Sequence, residues 1–438
     1  MTEIKGKATE FLKKYGIWAE DICFEKELQA FIREMRDGLS GKKSSLGMLC
    51  TYLSPEGEVA VNEPVIVMDA GGTNFRVAVV TFNQDKTPVI EDFQRYPMPG
   101  TNGEISKEEF FSTIADYLMP VIDRSNKIGF CFSYPTEILP NKDGRLIRFN
   151  KEVKVRDMVG EEIGRGILEV LRQRGIKEEK RIVILNDTVA TLLGGKAAYP
   201  DRVFDSYIGF ILGTGTNTCY IEENAGIEKA SGLDRHGYTI INTESGGYDK
   251  APRGAIDIYL DSKTNDPGTQ QFEKMISGAY QGSLITEVIR RAMSENMFSD
   301  EFRKRFEKVD VLSSRDIDEF CYYPYSSKYT LSACTDHADG ENDRLMLYYL
   351  IDGVMERAAK LVTINLAAIM HKTGKGKNPC RPVCVTAEGT TFYKSKLFRD
   401  KLNYYVKTCI NEELNIYCEF VKAENATLIG TAIAGLLN

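Results

Sequence analysis

Histidine is nearly missing from this sequence: only His236, His337 and His371 occur, and the ten cysteines contain no CxxC pair. The closest cysteines, Cys380 and Cys384 in CRPVC, have a proline between them, so a structural zinc site is not expected. Long apolar runs are missing too. LAAIM at 366–370 falls far short of the roughly 18 residues a membrane span requires, and the opening MTEIKGKATEFLKKYG carries charges at helical spacing in place of the apolar centre of a signal peptide. There is no excess of basic residues. The formal charge of -7 offers no general surface for gripping nucleic acid. Neither GxxxxGK[ST] nor a GxGxxG opening a helix after a strand is present, which removes the main support for P-loop and Rossmann readings. These absences together predict a soluble cytoplasmic protein with reduced, mostly buried thiols, binding neither nucleic acid nor membrane.

What is present is enough chain for two lobes, since 438 residues exceed the size at which one core stops growing. FIREMRDGL places apolar residues at 31, 32, 35 and 39, so the first 53 or so residues read as helix before the change at Pro64. VIVMD, RVAVVTF, IGFCFSYP and RIVILND are short strands rich in β-branched residues. SKEEFFSTIADYLMPVI and GEEIGRGILEVLRQRG carry helical spacing between them, so the fold class is α/β, with helices on the faces of a sheet. The pattern then restarts at YIGFILGTGTNTCYIEE, and Gly-Thr-Asn occurs at both 72–74 and 215–217. Two halves on one plan, each offering a glycine hairpin, suggest a duplication facing a shared ligand. The stretch 284–345 reads as polar loop or insertion with no assignable chemistry; a long buried helix follows, then PVCVTAEGTTFYKS as strand and glycine turn, and a final apolar helix.

The first hairpin, VIVMDAGGTNFRV, has more polar groups than a turn needs. Gly71 and Gly72 permit close backbone approach and positive φ, so successive N–H groups can face phosphate oxygens; Thr73, Asn74 and Arg76 add polar groups and a cationic fork, and Asp69 can organise Mg²⁺ through its water shell. A plain hairpin with an Asx-turn is the alternative. In RIVILNDTV, Asn186 and Asp187 stand where a strand meets a helix; one such residue is an ordinary N-cap, whereas two leave an acceptor free for a substrate hydroxyl proton. Glu244 in INTESGGY, Gln270 and Glu273 in DPGTQQFEKM, and Asn217 extend a set rich in carboxylates and amides, which suits a neutral polyol.

In order along the chain, SSLGMLCTYL, VMDAGGTNFRV, GFCFSYP, ILNDTVATLLGG, GFILGTGTNTCYIEE, INTESGGY, DPGTQQFEKMISGAYQG and TAEGTTFYKS resemble the hexokinase family of the actin-like ATPase superfamily. The resemblance implies a two-lobe fold with a cleft, the small lobe being 64–186 plus 423–438 and the large lobe 1–63 plus 187–422. It implies transfer of the ATP γ-phosphoryl group, with Mg²⁺, to the 6-hydroxyl of a hexose, D-glucose first among them. Asp187 matches the general base, with Lys151 and Arg76 completing the catalytic set. Ser133, Asn150, Lys151, Asn186, Asn217, Glu244, Gln270 and Glu273 match the sugar positions. Asp69, Gly71, Gly72, Thr73, Asn74 and Arg76 match the first phosphate loop, Thr214 the second, and Gly389 with Thr390 the adenosine loop. Sugar binding is expected to close the lobes, bringing Ser133 and Lys151 onto Asn217 and Glu244. Three positions depart from the family pattern: Asn150 for threonine, Ser245 for tryptophan and Glu388 for aspartate. The CxCGxxGC signature of the ROK sugar kinases is missing. A sugar sensor without turnover and an actin-like ATPase are the rival readings.

Overall fold

A computed structural model describes residues 2–149 and 153–438, so Asn150 and Lys151 lie outside the described residues. The chain opens with α1 (Thr2–Lys14) and α2 (Phe24–Leu39), the latter burying Leu28, Phe31, Ile32, Met35 and Leu39 along one stripe, and continues into β1 (Leu49–Cys50). The first half comprises β2 (Val65–Ala70), β3 (Asn74–Phe82), β4 (Pro88–Pro97), α3 (Lys107–Leu118), β5 (Lys127–Phe132), the small hairpin β6 (Thr136–Ile138) and β7 (Gly144–Leu146), α4 (Ile163–Gln173), β8 (Arg181–Leu185) and α5 (Asp187–Ala198). The second half begins with β9 (Ser206–Leu212), β10 (Thr216–Glu223) and β11 (Tyr238–Asn242). Helices α6 (Ala255–Asp261), α7 (Gln271–Ile276), α8 (Gly278–Ser294), α9 (Asp300–Phe306), α10 (Ser314–Tyr322), α11 (Thr330–Cys334) and α12 (Gly340–Thr373) follow. The chain ends with β12 (Val383–Glu388), α13 (Thr390–Lys394), α14 (Phe398–Tyr405), β13 (Cys418–Val421) and α15 (Ala426–Leu437).

The expected duplication is visible in the strand order. One sheet runs β4-β3-β2-β5-β8; the other runs β11-β10-β9-β12-β13, with β1 added beyond β11. In each, an antiparallel meander supplies three strands and two parallel strands follow on the far side of the first. Strand β2 is buried along its whole length, as parallel-paired central strands covered on both faces must be.

The helix that ends each half lies on the other half's sheet. Helix α5 packs on β9, β10 and β12, whereas α15 packs on β2 and β5, and the two helices pack on each other. Glycine makes this exchange possible. A Cβ on Gly430 of α15 would stand 1.8 Å from the Ala190 carbonyl oxygen of α5, and one on Gly194 of α5 would stand 2.3 Å from that of Ala426. On the sheet sides, a Cβ on Gly129 of β5 would meet Thr431 O at 2.2 Å, and one on Gly209 of β9 would meet Thr188 O at 2.3 Å.

The segment 284–345, read from sequence as loop or insertion, is instead mostly helical. Ser299 and Ser313 cap α9 and α10 through hydrogen bonds from the Phe302 and Asp316 N–H groups, and Phe302, Phe306, Ile317, Phe320 and Leu331 are buried. Helices of five to nine residues hold too few turns for an apolar period to stand out. Among the described residues, no helix is long and apolar enough to cross a membrane.

Gly430→Ala is expected to lower stability by at least about 1–3 kcal/mol, because backbone atoms, not a movable side chain, occupy the added volume. Gly6→Ala in α1, where nothing lies within 4 Å, is expected to raise stability by about 0.5–1 kcal/mol. Urea melts of the two variants check the contrast.

Candidate active site

The first hairpin is fixed from beneath. Asp69 and Arg76 are register partners on β2 and β3 and form an ion pair, Asp69 being fully buried and Arg76 reaching outward. Burial pushes the Asp69 carboxyl up, and the Arg76 guanidinium opposes the shift. At the turn, the Gly71 N–H donates to Asn74 O at 3.1 Å, the Met98 N–H to Thr73 O at 3.1 Å, and the Tyr134 hydroxyl to Gly71 O at 3.0 Å. The Asn74 amide donates to the Thr73 hydroxyl at 3.0 Å. Among the described residues, the Gly72 and Thr73 N–H groups have no partner. Like Gly72, Gly71 corrects the sequence reading in one respect: its φ lies outside the left-handed region. Its benefit is space, since a Cβ there would meet nothing nearer than Asn74 O at 3.7 Å. Free amides, a guanidinium and one carboxylate form a donor set that fits a metal-bound polyphosphate, with the metal keeping most of its waters.

The second hairpin is pinned against the loop after β12. Gly213 O accepts from the Gly278 N–H at 2.8 Å and the Thr391 hydroxyl at 2.9 Å, and Thr214 O accepts from the Ala279 N–H at 3.1 Å. Gly389 takes φ 115°, and a Cβ there would stand 2.2 Å from Leu212 O, so no other residue fits. The structure therefore brings Gly389 next to the Gly213–Gly215 turn, leaving the side chains of Thr214 and Thr390 exposed.

Between the hairpins lies the junction of β8 and α5. Asn186 is the N-cap, its Oδ1 accepting from the Thr188 N–H at 2.9 Å. With capping done by Asn186, Asp187 is left for other work. Its carboxyl, half-buried and touched by the Thr188 hydroxyl at 3.3 Å, is pushed up to about 6, chiefly by burial and then by the Asp69 carboxylate, with Glu244 adding to the shift.

Facing it, Asn217 donates to Asn242 Oδ1 at 2.8 Å, and Asn242 donates to Glu244 Oε1 at 2.8 Å. Asn217 Oδ1 accepts from the Thr218 and Ser245 N–H groups. Glu244 sits in the left-handed region at φ 53°. Its carboxyl is raised by burial and lowered by Asn242 and Arg148. Glu273 Oε2 accepts from the Thr216 N–H at 2.9 Å and is likewise raised by burial. Gln270, at φ 48°, holds its amide oxygen over Gly246, 2.6 Å from where a Cβ would be. Ser133 follows β5, its N–H donating to Ala70 O at 3.3 Å. Thr51, Phe132, Tyr134, Thr136, Asn186 and Glu244 line the gap between the sheets.

Sequence reasoning passed over Asn242 and Tyr134. Asn242 has a local signal, a polar residue ending the buried strand YTIIN, 4% exposed. Tyr134 has none, because its partner is 63 positions away.

Profiles of the hexokinase family match residues 8–197 and 207–437. Hexokinase-5 of Oryza sativa subsp. japonica is 31% identical over 411 residues, 86% of this chain and 79% of its own. Hexokinase-1 of Spinacia oleracea is 28% identical over 429 residues, covering 91% and 84%. The solved structure of a hexokinase from Schistosoma mansoni complexed with glucose superposes over 99% of both chains at 25% identity with a TM-score of 0.78.

The raised Asp187 carboxyl carries a stability consequence. The folded state holds this proton more tightly than the unfolded chain, so stability is lost as pH rises from about 4 through about 6. Asp187→Asn is expected to be more stable than the parent by about 1–2 kcal/mol at pH 7–8, after discounting for partial exposure, with the difference vanishing below about pH 4. Thermal melts across that range measure it.

Proposed function

The chain belongs to the hexokinase family, ATP-dependent hexose kinases on the two-lobe actin-like ATPase fold, and from that premise we propose that it phosphorylates D-glucose at the 6-hydroxyl. The observation that carries this reading is Asp187, whose carboxyl at about 6 senses both Asp69 of the phosphate hairpin and Glu244 of the amide-carboxylate wall. A group shared by both walls is what in-line transfer between two substrates requires. The glucose in the related schistosome structure supports the choice of sugar.

In this mechanism Asn217, Glu244, Gln270 and Glu273 receive the sugar hydroxyls, the Asn186 amide, without a partner among the described residues, donates to one of them, and Ser133, Asn150 and Lys151 cover them from the other lobe. Asp187 accepts the proton of the 6-hydroxyl as its oxygen bonds to the γ-phosphorus and the bond to the β-phosphate oxygen breaks, leaving ADP. Gly72 and Thr73 donate to phosphate oxygens, Asn74 braces the turn, Arg76 offsets the charge, and Thr214, Gly389 and Thr390 hold the nucleotide. Mg²⁺ held through water near Asp69 would neutralise phosphate charge. The lobes carried in this proposal are 64–186 with 423–438, and 1–63 with 187–422. Closure on the sugar keeps water, itself a hydroxyl, from taking the phosphoryl group. The ten free cysteines favour a cytoplasmic setting.

ADP release from MgATP, with no sugar and then with each of several hexoses, tests the reading; strong stimulation by glucose is expected, and turnover indifferent to every sugar refutes it. Asp187→Ala should lower kcat by about 10²–10⁴ with hexose affinity by calorimetry nearly unchanged. Because the base must be ionised, kcat in the parent should rise with pH through about 6 and level off above it.

A further inference from the structure

Tyr134 stands next to Ser133, on the sugar side of the cleft, yet its hydroxyl reaches the phosphate hairpin. It donates to Gly71 O at 3.0 Å and lies 3.4 Å from Gly72 O. The residue is 2% exposed, with its ring against Phe132 at 5.0 Å and edge-on to Phe149 at 5.1 Å.

The two carbonyls that Tyr134 meets belong to two particular peptide units. In a trans peptide the C=O and the following N–H point in opposite directions. Drawing the Gly71 carbonyl toward Tyr134 turns the Gly72 N–H away from it, and the Gly72 carbonyl does the same for the Thr73 N–H. Those are the two hairpin amides without a partner among the described residues. Consecutive glycines would otherwise sample many orientations, and ordering them only when the nucleotide arrives costs affinity.

We infer that Tyr134 is a positioning residue that aims the Gly72 and Thr73 amides at the phosphoryl donor and, through its chain neighbour Ser133, ties that aim to the state of the sugar subsite. The inference rests on the proposed reading of the first hairpin as the phosphate cradle. Sugar settling against Ser133 would then fix the neighbouring Tyr134 ring, and the ring's hydroxyl would fix the loop.

The test is Tyr134→Phe in the full chain, which keeps the ring and removes only the hydroxyl. At saturating hexose the KM for MgATP should rise about 3- to 10-fold, the effect of one buried hydrogen bond, while the hexose Kd measured without nucleotide stays within about twofold. Hexose alone should slow hydrogen exchange over residues 70–75 in the parent and fail to do so in the variant. An unchanged KM for MgATP overturns the inference, as does a parallel rise in hexose Kd, which would mean general loosening. Should the variant not fold, exchange in the parent decides: protection of 70–75 by hexose supports the coupling and its absence overturns it. A parent without hexose-stimulated ADP release gives a different signature, and there the functional reading falls and this inference with it.

Discussion

Close packing of α5 against α15 is the constraint on which the rest of the molecule depends. Each helix ends one half of the chain and lies on the other half's sheet, so neither half can bury its central strands alone. The contact brings backbone onto backbone, with Gly430 over Ala190 and Gly194 over Ala426. Contacts of this kind have no flexible side chain to absorb error, and interiors at crystal-like density transmit any displacement. Asp187 is the first residue of α5. Its place in the cleft is therefore set by glycines up to 243 positions away along the chain (430 − 187), and the Gly209 approach to Thr188 O fixes the same turn from the sheet side. The position of the Asp187 carboxyl is a packing result before it is a chemical one.

The acids of the cleft differ in how well each is compensated. Asp69 has the Arg76 guanidinium, Glu244 has the Asn242 amide and the field of Arg148, and Glu273 has the Thr216 N–H and the field of Lys274. Among the described residues, Asp187 has only the first turn of its own helix, the Thr188 N–H and hydroxyl, against burial and two like charges. Desolvation wins there. A carboxyl brought to about 6 is a better proton acceptor than an ordinary one and is still mostly ionised at neutral pH. The floor beneath Asn217 is polar as well: Ser245, at the position where the family pattern has tryptophan, sets its hydroxyl 3.1 Å from that of Thr218, which accepts from the Asn365 amide at 2.7 Å. A small residue here exchanges ring packing for a hydrogen-bonded chain running into α12.

The readable parts of the sequence were those whose cause is local. Strands β2, β3, β5, β8 and β9, five to nine residues long, announce themselves by largely apolar, β-branched sequence, and the repeated Gly-Thr-Asn marks both hairpins. Asn186 and Asp187 were legible because one cap residue suffices and two were present. What stayed hidden has distant causes. Helices α9 to α11 are too short to show a period, and β13 is four residues ending in Val421 that become a strand by pairing with β12. The positive φ expected at Gly71 and Gly72 failed because sequence gives the freedom of a glycine and not its use. Asn242 and Tyr134 matter through partners that the fold alone brings near.

The duplication explains why the cleft is asymmetric although the sheets are not. Each half has a last strand leading into a helix: β8 into α5 through Asn186, and β13 into α15 through Asn425. In the first half the residue that begins the helix is Asp187, half open to the cleft. In the second it is Ala426, 2% exposed and pressed on Gly194, where a Cβ on the glycine would stand 2.7 Å from the Ala426 Cα. A carboxylate at 426 would be buried in the helix pair without a partner, at a cost of several kcal/mol. The same contact that positions Asp187 thus forbids its counterpart, and one carboxylate is left between two walls that the two halves build differently.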